Sequence, residues 1–119
     1  MATFSKTILS GSTDGRPILV AATSSPGTTI HTGSTTPATL HEVWLYASNS
    51  TGVQRTLTVQ WGGTTSPNDS ITLFLPAQSG LTVVAPGLLI KGNATALIIR
   101  AFADSASQVS ITGFVNVIA

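Results

Sequence analysis

Residues 54–61, Gln-Arg-Thr-Leu-Thr-Val-Gln-Trp, alternate along their whole length. Arg55, Leu57, Val59 and Trp61 fall on one side of an extended chain, and Gln54, Thr56, Thr58 and Gln60 on the other. A period of two predicts a strand with one buried face, and the β-branched Thr and Val residues favour the same backbone. Residues 40–49 differ, because Leu40, Trp44 and Tyr46 alternate with Val43, Leu45 and Ala47, so both faces are apolar. Such a strand is either central and covered on both sides, or it turns its outer face to a partner. Further strands are expected at 17–23, 28–32, 69–75, 80–85, 88–91, 94–102 and 108–118. Turn-forming stretches separate them: Ser-Ser-Pro-Gly at 24–27, Asn-Ser-Thr-Gly at 49–52, Ser-Pro-Asn-Asp at 66–69, Pro-Gly at 86–87 and Gly-Asn at 92–93.

Eight or nine short strands with no helical period predict an all-β fold, an antiparallel β-sandwich. A jelly roll fits the strand count, although periodicity alone does not separate it from an immunoglobulin-like topology. At 119 residues the chain fits one domain, placed here at 16–119. Residues 1–15 read as an N-terminal arm. Its apolar residues Phe4, Ile8 and Leu9 are too few to offset the ordering entropy unless it lies on another surface. Ser, Thr, Gly and Pro dominate 24–39, which reads as a long loop or a second arm.

Composition narrows the function classes. Charged residues make up 8% of the chain, against roughly 25% in a typical soluble domain. The polar positions are filled instead by 19 Thr and 14 Ser. Hydroxyls can be covered by a neighbour without the cost of desolvating an ion, so the composition favours a subunit whose surface is buried in an assembly. A net charge of +1, with the cations scattered, argues against a nucleic-acid partner and against a polybasic membrane patch. The uncharged stretch 70–90 is long enough to span a bilayer, but Pro76, Gly80, Pro86 and Gly87 break it into strands, so no membrane segment is expected. The first residues lack an apolar core after a charged stretch, and no signal peptide is expected. Without cysteine there is neither disulfide nor thiolate metal site.

Candidate chemistry is sparse. Asp14, Glu42, Asp69 and Asp104 are far apart in sequence, three of them in turns where Asp serves the backbone. No nucleophile elbow and no phosphate loop is present, so no catalytic residue, metal site or cofactor is assigned. His31 would ligate a metal only if three chains met at an axis. Both it and His41 read as strand histidines bonded to backbone or solvent. Trp44, Tyr46 and Trp61 are expected in the core. Trp61 is the exception worth keeping: it ends a strand beside the 62–69 turn, and with Asn68 and Asp69 it could contact a glycan.

The segments 40–49 and 55–63, followed by 85–93, 98–102 and 111–118, resemble the small β-sandwich virion proteins of tailed bacteriophages. The resemblance spans roughly 16–118 and implies a role without naming a site. Under it the chain is a capsid decoration (cement) protein, made in the host cytoplasm and located in the virion. Its expected partners are the major capsid protein and two further copies in a homotrimer. Phe4, Lys6, Ile8, Arg16 and His31 are the expected assembly contacts. A neck, tail or head-fibre component is the alternative within the virion. A carbohydrate-binding module built on Trp61 and the 62–69 turn is the alternative of another class.

Overall fold

The computed structural model describes residues 3–119. Nine strands form among them: β1 (Phe4–Ile8), β2 (Ile18–Leu19), β3 (Thr28–Thr32), β4 (Leu40–Asn49), β5 (Arg55–Trp61), β6 (Ser70–Leu75), β7 (Ser79–Lys91), β8 (Ile98–Ala103) and β9 (Val109–Ile118). They make two antiparallel sheets. The first has the order β1-β9-β4-β7, with β2 also paired to β9, and the second has the order β3-β8-β5-β6.

The pairing follows one rule. β5 pairs with β6, β4 with β7, β3 with β8 and β2 with β9, as if one long hairpin had been folded over on itself. Rolling that ribbon adds the contacts β4 to β9 and β5 to β8. This is jelly-roll order, and it decides between the two topologies that periodicity left open.

The core lies between the sheets, where period-two faces meet. Val43, Leu45 and Ala47 of β4 and Ile111 and Val115 of β9 face Leu57 and Val59 of β5 and Ile99 and Ala101 of β8, all with no exposed surface. Asn49, at the end of β4, is equally buried. Its Nδ2 donates to the carbonyls of Val53, Leu75 and Pro76, and its Oδ1 accepts from the backbone N–H and the hydroxyl of Thr51. The loop 50–54 is thereby tied to the end of β6.

Two expectations need correction. The stretch 80–91 is one strand, not two with a turn at Pro86-Gly87. Val43 pairs with Leu88 and Trp44 with Pro86, so Gly87 is an extra residue at φ 82°, a bulge that bends β7 without ending it. Pro86 is tolerated because β7 is an edge strand. The N-terminal arm is likewise part of the sheet. β1 pairs with β9 from Phe4↔Ile118 to Ile8↔Phe114, filling the edge that the short β2 leaves open. Leu9 behind it is 1% exposed and belongs to the core, while Gly11 N–H donates to Ile30 O and Thr32 N–H to Ser10 Oγ. These non-local bonds and one buried leucine offset the ordering cost that the segment alone could not.

Candidate functional site

Each sheet has an outward face, and the two differ in chemistry. On the first sheet, side chains of even-numbered residues of β1, β4 and β9 point away from the core, and the register lines them up in rows. Phe4, Ile118 and Leu40 form one row, Lys6, Asn116 and Glu42 the next, and Ile8, Phe114 and Trp44 the third. A polar row therefore lies between two apolar ones, about 7 Å from each by strand geometry.

The polar row is fixed by its own bonds. Glu42 Oε1 accepts from the Trp44 indole at 2.7 Å and from Asn116 Nδ2 at 3.0 Å. Those two hydrogen bonds, that of Asn116 being the stronger influence, hold the carboxyl of Glu42 below its ordinary value despite some desolvation. The indole of Trp44 is nearly parallel to the Phe114 ring, at 10° with centroids 5.8 Å apart. Lys6 Nζ stands 4.9 Å from the centroid of Phe114. Behind Trp44, Gly87 leaves the space: a Cβ there would lie 3.0 Å from Trp44 Cζ2. Phe4, Ser5, Lys6, Glu42, Asn116 and Ile118 line an open hollow of about 340 Å³. Among the described residues Glu42 Oε2, Asn116 Oδ1 and the Lys6 ammonium have no hydrogen-bond partner.

The outward face of the second sheet is built of hydroxyls and phenyl rings. Phe102, Thr58 and Thr72 form one row, and Thr56 and Phe74 the next. Phe74 is 68% exposed. Two charges border these rows: Asp104, whose N–H donates to Thr56 O, and Arg100, with Thr29 beside it at 3.5 Å. A shallow hollow of about 110 Å³ opens between Thr56, Thr58, Phe102 and Asp104. Gln60 also points to this side, yet it is 2% exposed, because Gly27 N–H donates to its Oε1 and its Nε2 donates to Ser25 Oγ. The 24–27 turn thus covers one end of the face.

The two histidines meet across the sandwich. Ser10 N–H donates to His31 Nδ1, and His31 Nε2 lies 2.8 Å from His41 Nδ1. Since Nδ1 of His31 accepts, the proton sits on Nε2 and is donated to His41. His31, 2% exposed, is pushed down to about 4 by burial first and by His41 second, and burial lowers His41 as well. Among the described residues no third ligand joins them to make a metal-holding group.

The sequence-selected residues are scattered by this structure. Phe4, Lys6 and Ile8 stand exposed on β1, and Arg16 is exposed in the turn before β2. His31 is buried, so it offers no contact to a neighbouring subunit. Trp61 packs against the core from the inner side and its indole is 3.4 Å from Leu89 O. Asp69 turns its carboxylate to the Thr65 N–H and closes the 62–69 turn, while Asn68 is exposed on that turn. The turn thus spends one carboxylate oxygen of Asp69 on its own backbone, and Trp61 is partly buried beside it. Trp44 and Tyr46, expected in the core, lie on the outward face and are half-buried. The apolar outer side of 40–49 was the signal for this: β4 is central in its sheet, and among the described residues no second layer covers its outer face. Comparison with known protein families, curated proteins and solved structures finds no match to this chain.

Proposed function

We propose that this protein is a structural component of a tailed-phage virion, a decoration protein that binds over major capsid subunits and stabilises the shell. The observation that carries the reading is the outward face of β3-β8-β5-β6. Thr56, Thr58 and Thr72 alternate there with Phe74 and Phe102, and these hydroxyls and rings can be covered at low cost, with Asp104, 4.0 Å from Arg55, and Arg100 left at the border of the patch. Burying a ring as exposed as Phe74 contributes about 2 kcal/mol per copy. Such modest contacts suffice when many copies engage one shell at once. The charge-poor composition and the resemblance to phage β-sandwich virion proteins support the same reading, which also expects self-association as a homotrimer and a location in the virion.

The test is to mix purified protein with undecorated shells and measure co-sedimentation and shell melting. Binding at many copies per particle, with a higher shell melting temperature, is the expected result, and a Phe74→Ser, Phe102→Ser double variant should lose most of it. Absence of binding together with unchanged shell melting rejects the decoration role. A particle that carries only a few copies rejects it equally.

A further inference from the structure

We infer that the hollow over Lys6, Asn116 and Glu42, flanked by Trp44 and Phe114, is a binding site for a pyranose unit of a neutral oligosaccharide. The inference is independent of the proposed function, since it uses the opposite face of the sandwich.

A protein interface concentrates apolar side chains at its centre and excludes Lys and Glu from it. Across β1, β9 and β4 this face sets Lys6, Asn116 and Glu42 in one row between two apolar rows, and the exposed Leu89 of β7 ends that row beside Glu42. A sugar has the complementary pattern, with hydroxyls around the ring edge and C–H bonds on the ring face. Vicinal hydroxyls can donate to Glu42 Oε2 and Asn116 Oδ1 while accepting from the Lys6 ammonium. The C–H face can rest on the half-buried Trp44 indole, which its bond to Glu42 holds beside the hollow, whereas Lys6 already stands over the Phe114 ring.

The site is also organised before any ligand arrives. Glu42 is held on one oxygen by both Trp44 and Asn116, which leaves the other oxygen aimed at a partner with little rotamer freedom to lose. The hollow, about 340 Å³, lies within the size range of small-ligand sites. Its single cation and single carboxylate balance, so a neutral sugar meets no net repulsion. A phosphorylated or uronic sugar would set its anion against Glu42.

The probe is an array of neutral oligosaccharides built on glucose, galactose, mannose and N-acetylhexosamines, followed by titration of any hit against tryptophan fluorescence. Binding by at least one hit with a change in Trp44 emission is expected. Glu42→Gln and Trp44→Ala should each weaken it about tenfold or more, through loss of a charge-assisted hydrogen bond and of the stacking surface respectively. Phe74→Ser, on the other sheet, should leave it unchanged, and Glu42→Gln preserves shape, so loss of folding does not explain a negative result. An array with no hit overturns the inference. So does a hit whose affinity is the same in Glu42→Gln and Trp44→Ala. Shell binding lost with glycan binding kept, or the converse, separates this site from the decoration surface.

Discussion

Acidification should unfold this protein earlier than its few carboxylates require, and the histidine pair is the reason. Neutral His31 accepts from Ser10 N–H on Nδ1 and donates from Nε2 to His41. Protonating it puts a second N–H against that of Ser10, in a site with 2% of its surface exposed. In the folded chain His31 is therefore held at about 4, against 6.5 when free. Between those values the unfolded chain binds more protons, so stability rises with pH through the window and falls as pH drops from about 6.5 to about 4. Below that range this group has no further effect. The full lowering corresponds to about 3 kcal/mol. Because His41 is half-exposed and admits solvent, about 2 kcal/mol is the working expectation. His41, lowered by burial, adds in the same direction.

For a domain of this size such a loss moves a urea midpoint down by about 1 M. Urea melts followed by tryptophan fluorescence at pH 7 and at pH 4.7 measure it directly. Glu42 stays out of that interval: its carboxyl is lowered by Asn116 and Trp44, so what it contributes is present above 4.5 and lost only at lower pH. His31→Gln should flatten the response between the two pH values, and His41→Gln should reduce it by removing the second imidazole. A midpoint that is the same at both pH values in the native chain would refute the reasoning. A response that survives intact in His31→Gln would place the cause elsewhere.

Asn49→Ala strips five hydrogen bonds from a fully buried position and takes a donor from the carbonyls of Val53, Leu75 and Pro76, so about 3 kcal/mol of stability should disappear in urea melts; a cost below about 1 kcal/mol would mean that water replaces the amide. Leu9→Ala removes a side chain that is 1% exposed and should cost about 3 kcal/mol, whereas Phe4→Ser on the exposed β1 should cost well under about 1 kcal/mol. Equal and negligible effects from both would return the N-terminal segment to the status of a loose arm.

What could be read from the chain, and what could not, divides along a physical line. β3 and β4 lie at the residues expected from pattern alone, and the buried triplet Val43, Leu45 and Ala47 is the inner face of an alternating strand. Period two reports which side of a strand is buried, and that is a local property. Elements decided by distant partners were not legible. β1 has all five residues exposed, so nothing in its sequence marks it; it exists because β9, more than a hundred residues later, has an open edge. Gln60 reads as a surface residue and is buried by a turn thirty-odd residues upstream. Pro86-Gly87 reads as a turn but is a bulge, because β4 continues past it and supplies partners on both sides. The Lys6–Asn116–Glu42 row joins three strands from both ends of the chain, and only the register brings it together.

Charge scarcity acquires a sharper meaning once the two outward faces are compared. A chain with so few ions could have spread them evenly to keep both faces soluble. Instead, the second sheet keeps Asp104 and Arg100 at the border of its Thr and Phe rows, while the first sheet sets Lys6 and Glu42 in a single row among aromatic rings. An ion is costly to cover with protein but useful against a small polar ligand, where its field orients hydroxyls at short range. Under the proposed decoration role and the inferred sugar site, the division separates a face to be buried in an assembly from a face left open to a ligand. That is the arrangement expected of a subunit that sits on a larger surface and presents its other side to the surroundings.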